Sequence, residues 1–147
     1  MKITLEPSNQ KETEVIIRGD VTGTEVAAIL QALGRKNSGK LFLYKEEEQY
    51  IMDASQIVYL ETADSKVCVY TQNDRYEAKQ KLYELMELLE IFSFVQINKS
   101  TIVNIDCVRS IQAEFSGNYR IKLKNRKEVL TLSRKFFKEF KNRIQEV

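Results

Sequence analysis

Three cations stand where apolar runs break off: Lys66, Lys99 and Arg134. Lys99 lies in "VQINKSTIVNIDCV", residues 95–108, where two runs with the composition of buried strands are interrupted by Asn98-Lys99-Ser100. A connection that starts and ends in core residues must project whatever lies between them, so this triplet is held outward and Lys99 is presented to solvent. Lys66 closes the turn in "ETADSKVCV" just before the next strand. Arg134 follows Ser133 at a strand-to-helix junction. The dipole of a helix disfavours a cation in its first turn, so this charge does not serve the helix. A guanidinium there can donate two parallel hydrogen bonds, the geometry that fits an acceptor pair such as the guanine edge.

The charge distribution agrees with an anionic partner. The total is +2, but residues 1–91 hold 11 Lys and Arg against 16 Asp and Glu, whereas residues 92–147 hold 12 against 5. A basic segment whose charges share a face attracts polyanions, nucleic acid among them. An ordinary solvated face is the alternative that charge alone leaves open.

These side chains need a scaffold, and 147 residues are enough for one with a real core. Apolar content of 43%, charged content of 30%, one Pro and five Gly exclude fibrous and disordered classes. "MKITLEPSNQ" lacks the apolar centre of a signal peptide, and no run approaches the length of a spanning helix, so a cytoplasmic protein is expected. Cys68 and Cys107 sit in apolar runs without CxxC spacing and read as packed, reduced thiols.

Along the chain, residues 3–5 and 15–17 resemble two short strands around the turn formers of "EPSNQKET". A helix follows, with Thr22 or Thr24 to cap it, Val26, Ile29, Leu30 and Leu33 at helical spacing, and Gly34 as its stop. "GRKNSGK" is the best boundary. Residues 1–38 are therefore expected to form a β-β-α appendage, for dimerisation or regulation, and residues 39–147 a second domain. There, "KLFLYKEEEQYIMD" suggests a hairpin, "IVYLET" a strand, and "KVCVYTQNDRYEAK" two strands joined at Asn73-Asp74. "KLYELMELLEI" is a helix with Leu82, Leu85, Met86 and Leu89 on one stripe. Strands resume at "FVQI", "TIVNID", "VRSIQAEF", "NYRIKLK" and "KEVLTL". The expected class is mainly β, α+β, with a few small helices.

Period 2 is clean in "NYRIKLKN": Tyr119, Ile121 and Leu123 point one way, Arg120, Lys122 and Lys124 the other. That face can attract phosphate, or it can be a solvated face whose lysines guard an edge. In "LSRKFFKEFKNRI", Ser133 is a natural N-cap, and Phe136, Phe137, Phe140 and Ile144 form an apolar stripe among Lys135, Lys138, Lys141 and Arg143.

"FVQINKSTIVNIDCVRSI" followed by "GNYRIKLKNRKEVLTLSRKFFKEF" resembles the LytTR DNA-binding domain, a module of transcription regulators built from strands with small helices. The similarity covers residues 40–145. It reaches the appendage too, since small stand-alone Gram-positive regulators of this type begin with a strand-strand-helix segment in place of a receiver domain. The resemblance implies double-stranded DNA as partner, contacted by loops in successive major grooves, and it carries the DNA-binding role to Lys66, Asn98, Lys99, Ser100, Ser133 and Arg134. Arg120, Lys122, Lys124, Arg126 and Lys135 are the candidate phosphate contacts. It further implies a homodimer on paired half-sites and a functional link to a small membrane protein. Many members have His where this chain has Asn98, which bears on base preference because Asn can pair bidentately with adenine.

An enzyme is not expected. The chain has no His, and no carboxylate pair, phosphate loop or nucleophile elbow is legible. No cofactor or metal is implied. Two classes of function remain: a sequence-specific DNA-binding regulator, and a protein-interaction module whose basic face meets an acidic partner or an anionic membrane surface.

Overall fold

The computed structural model describes residues 1–33 and 39–145. The chain divides into two units, Met1–Lys36 and Asn37–Val147. Gly34 and most of "GRKNSGK", expected as helix stop and boundary, lie outside the described residues.

Among the described residues of the first unit the only regular element is helix α1, Thr24–Leu33. Its lead-in is organised by Asp20, whose Oδ1 accepts from the Thr22 hydroxyl at 2.7 Å and the Thr22 amide at 3.1 Å; these bonds hold its carboxyl below the usual carboxylate range. The expected strands at 3–5 and 15–17 are not formed. Two three-residue segments cannot sustain a hairpin without a third strand or an apolar face to cover them. Ile3, Leu5, Val15 and Ile16 are accordingly exposed, and Val26 is the unit's buried apolar residue.

The second unit is built on strands. Those of the larger sheet are β1 (Lys40–Lys45), β2 (Glu48–Asp53), β3 (Ile57–Ala63), β4 (Lys66–Thr71), β5 (Arg75–Ala78), β6 (Phe94–Asn98) and β7 (Thr101–Asn104). They lie in the order β2-β1-β5-β4-β3-β7-β6, every pair antiparallel. A second sheet has the order β10-β9-β8, from β8 (Val108–Ala113), β9 (Tyr119–Leu123) and β10 (Val129–Leu132). Helix α2 (Leu82–Leu89) precedes β6, and α3 (Phe137–Gln145) closes the chain. The fold is mainly β with small helices, as its patterning predicts.

Both faces of the larger sheet are covered at its middle, which explains why its central strands read as continuous apolar runs. One core joins Leu43, Leu60, Val69 and Ile102 to Leu85 and Leu89 of α2, with Leu82 and Met86 against it. The other joins Tyr59, Val95, Ile97 and Val103 to Ile121, Leu123, Leu130 and Leu132 of the smaller sheet and to Phe140 of α3. The alternation along β9 follows: Ile121 and Leu123 are buried and Arg120 is exposed. Ile144, expected on the apolar stripe of α3, is 40% exposed.

Two arginines fasten the layers. Arg143 Nη2 lies 2.8–2.9 Å from the carbonyl oxygens of Glu90, Phe92 and Phe94, sharing two hydrogens among three acceptors and tying α3 to the segment that enters β6. Arg126, between β9 and β10, donates from Nη1 to the Thr71 carbonyl at the end of β4 and from Nε and Nη2 to Glu128 at 3.1 and 3.0 Å. Its guanidinium carbon stands 5.6 Å and 5.9 Å from the ring centres of Tyr59 and Tyr70, themselves stacked 4.3 Å apart. Burial, with Tyr70 adding, pushes the Tyr59 phenol up to about 12.

With its side chain only 11% exposed, Arg126 is a fastener between the sheets. Replacing Arg126 by Met, which keeps the aliphatic bulk, is expected to destabilise the fold by about 2–3 kcal/mol, since carbonyls and a carboxylate lose a charged donor. Urea denaturation measures this. An unchanged midpoint accompanied by weakened binding to polyanions would return Arg126 to the role of a surface contact.

Candidate nucleic-acid interface

Register decides which cations meet. Glu61 of β3 pairs with Thr101 of β7, and the Thr62 amide donates to the Ser100 carbonyl at 2.8 Å. The β3–β4 turn at Asp64-Ser65 and the β6–β7 turn at Lys99-Ser100 therefore lie at the same end of the larger sheet. The smaller sheet is pinned to that end: Asn98 Nδ2 donates to the Thr131 carbonyl at 2.7 Å, and the Ser133 amide donates to the Ile97 carbonyl at 2.8 Å. Because Leu132 pairs with Tyr119, and Tyr119 with Ala113, the loop 114–118 joins the same end. Four connections thus share it: 64–65, 99–100, 114–118 and the start of the segment after β10.

Each turn has a local cause. Asp64 and Ser65 both have positive φ, 53° and 65°, as a two-residue hairpin turn matched to strand twist requires. Asn98 Oδ1 accepts from the Ser100 amide at 2.8 Å, so its short side chain closes the turn that carries Lys99. Arg134 opens a short 3-10 turn, Arg134–Phe136, and α3 starts only at Phe137. Ser133 occupies the cap position, but its side chain makes no capping hydrogen bond. Asn118 does that work from the neighbouring loop, its Oδ1 accepting from the Arg134 amide at 3.1 Å. Gly117, at φ +90°, lies against the same arginine: a Cβ added there would stand 3.4 Å from Arg134 Cδ and 3.3 Å from Nη1.

The expected contacts separate into groups. Lys99, Ser100, Arg134 and Lys135 are exposed, Asn98 and Ser133 half-buried, and all lie at the shared end. Among the described residues, neither Lys99 nor Arg134 pairs with a carboxylate. Lys66 is also there, exposed, but its Nζ lies 3.8 Å from Glu77 Oε1. Both ends of the Asn98 amide are engaged within the protein, so its first role is to fix the turn. Arg120 and Lys122 line the outer face of β9, one position and three positions in from the shared end. Lys124 and Arg126 follow β9 at its opposite end, and Arg126 is committed to the inter-sheet contacts above. The sequence reading missed Gly117 and Asn118 as supports of Arg134. Their signal was the "GN" pair before a strand, although nothing local connects that pair to a residue 16 positions later. Asn104, the last residue of β7, is buried: it donates from Nδ2 to the Ile57 carbonyl at 2.9 Å and accepts the Asp106 amide at 3.0 Å.

This arrangement can meet a groove-shaped polyanion: rigid polar tips at one end, cations on an adjoining strand face, no enclosed cavity needed. Residues 47–145 match the model of the LytTr DNA-binding domain family. The chain is 30% identical over 139 residues to an HTH-type transcriptional regulator of Staphylococcus aureus strain MSSA476, covering 92% of this chain and 93% of that protein. It is 29% identical over 136 residues to the sensory transduction protein LytT of Bacillus cereus, covering 92% of this chain but 52% of the relative, so it spans about half that protein's length. A solved LytTr DNA-binding domain from Bacillus cereus has the same fold, with a TM-score of 0.67 at 23% identity over 72% of this chain and 96% of that one.

Asn98→Ala is expected to remove two hydrogen bonds and cost about 1–2 kcal/mol, with the Ser100 amide losing its protection from hydrogen exchange. Exchange measured by NMR tests this. Unchanged protection at Ser100 would mean that the turn is held without Asn98.

Proposed function

The chain belongs to the LytTr DNA-binding domain family, and on that premise we propose that it is a sequence-specific DNA-binding transcriptional regulator that reads duplex DNA through its strand-connecting loops, placed in successive major grooves. The observation that carries this reading is the convergence of Lys66, Lys99 and Arg134 at one end of the two sheets, each on a turn fixed by backbone or Asn hydrogen bonds. Fixed tips suit recognition because the side chain alone remains to be ordered on binding, which limits the entropic cost of association.

The tips and the strand face have different roles. Lys99 and Arg134 contact base edges, with Asn98, Ser100 and Ser133 framing them. Arg134 takes a guanine by a bidentate pair, and Lys66, released from Glu77, serves the neighbouring position. Arg120 and Lys122 neutralise phosphates along the groove wall, which positions the protein without reading sequence. In binding measurements on a selected duplex and its scrambled counterpart over several salt concentrations, Arg134→Ala costs roughly 1–3 kcal/mol on the selected duplex and little on the scrambled one. Lys122→Ala weakens both alike and lowers the salt slope by about one. Equal losses on both duplexes for Arg134→Ala would reduce this residue to a phosphate anchor.

The regulator acts as a homodimer on paired half-sites. In support, the first unit exposes Ile3, Leu5, Val15, Ile16, Leu30 and Leu33, more apolar surface than 33 described residues can cover with one buried valine. Sedimentation equilibrium of the full chain at micromolar concentration is expected to give a dimer. A monomer bound one per half-site without cooperativity would remove this part of the reading.

A further inference from the structure

Among the described residues Phe115 is the most exposed large apolar side chain, at 113% of its extended reference, and it sits in the loop 114–118 between β8 and β9. A lone exposed apolar residue is ordinary on a protein surface, so exposure alone assigns nothing. Its mounting does. The Glu114 amide donates to the Asn118 carbonyl at 2.9 Å, the Gly117 amide donates to the Glu114 carbonyl at 3.1 Å, and the Asn118 amide lies 3.3 Å from Ser116 Oγ. The ring therefore projects from a closed loop. That loop is fastened to Arg134 twice, by the Asn118 carboxamide on its amide and by Gly117 against its side chain.

Residues 111–118, "IQAEFSGN", contain no Lys or Arg and one Glu, so the loop brings no cation to a phosphate. An apolar ring beside a base-reading arginine has one apolar partner available in an intact major groove, the 5-methyl group of thymine. Resting on the DNA-reading function proposed above, we infer that Phe115 is a DNA-contacting specificity residue that packs on a thymine methyl group next to the base pair read by Arg134. Contact would remove from water both the ring and the methyl group, a gain that a base lacking the methyl cannot return in full. Gly117 suits the same arrangement: residues with a Cβ rarely adopt its φ of +90°, and a Cβ there would press on Arg134, so glycine lets the loop lie close on that side chain.

The test uses the full chain and a duplex recovered by selection from a randomised pool, together with versions in which each dT is replaced singly by dU, which lacks the methyl group. Phe115→Ala, fully exposed and expected to fold normally by circular dichroism, should bind the selected duplex roughly tenfold more weakly, and Phe115→Leu should lose less. One dT→dU replacement should weaken the unsubstituted protein by a similar factor and leave Phe115→Ala unaffected. Undiminished binding by Phe115→Ala, while Arg134→Ala is impaired, would overturn the inference and leave DNA reading intact. So would a loss that persists equally on every dU duplex, or one that appears in sedimentation without DNA, which would make Phe115 a contact between protein copies. If the unsubstituted chain enriches no duplex at all, the proposed function falls, and this inference falls with it.

Discussion

The constraint on which everything else rests is that the middle of the larger sheet is buried on both faces. Neighbouring residues of one strand serve opposite cores: Tyr59 and Leu60 in β3, Phe94 and Val95 in β6, Ile102 and Val103 in β7. A slip of one residue would exchange the two sets, driving the side chains shaped for α2 against the smaller sheet and the reverse. Register is therefore held from two sides at once, and the turn at Lys99-Ser100 inherits its precision from seven buried flanking side chains. This is what a chain gains by setting a lysine between two strands that both belong in a core: the lysine cannot be anywhere else.

Polar side chains then convert that register into a common surface. The smaller sheet and the C-terminal segment meet β6 through Asn98 and the Ile97 carbonyl, and the loop 114–118 meets Arg134 through Asn118. At the far end Arg126 closes the same gap, and Arg143 secures α3. Cations of one chemical type thus do opposite work. Arg126 and Arg143 are consumed by carbonyls and stabilise the fold, whereas Lys99 and Arg134 pair with no carboxylate among the described residues and remain available to a partner.

Most of the scaffold was legible because it obeys one rule at a time. Period 2 in β9 and the leucine stripe of α2 follow from one buried face each, and the hairpins follow from turn formers or from abrupt polar interruptions. The strands expected near the N-terminus failed for the opposite reason: apolar triplets have strand composition, but no third strand supplies the pairing that would hold them. At the candidate interface the projecting position of the tips was readable and their supports were not. Ser133 has the residue type of a cap, yet the Arg134 amide bonds Asn118, 16 residues earlier in the chain. Arg126 reads as one more surface cation, and only the fold reveals two tyrosine rings and a carbonyl beneath it. Side chains whose partners are distant in sequence leave no periodic trace.

The proposed reading surface, made of turns, has a physical advantage over one carried on a helix face. The helices here are short, eight to ten residues, and both helices of the second unit spend their apolar stripes on the two cores. A substitution that re-aimed either helix would have to repack a core. At the turns, by contrast, the backbone is fixed by strand pairing and a few amide hydrogen bonds, while the outward side chains bear no packing load. Lys99 can change without disturbing Ile97 or Thr101, provided Asn98 keeps its two bonds. Arg134 can change provided Asn118 and Gly117 still present its backbone. Identity at the tip and geometry beneath it are thus separately adjustable, so the same double core can carry different combinations of tip residues, which under the proposed function would suit different duplexes.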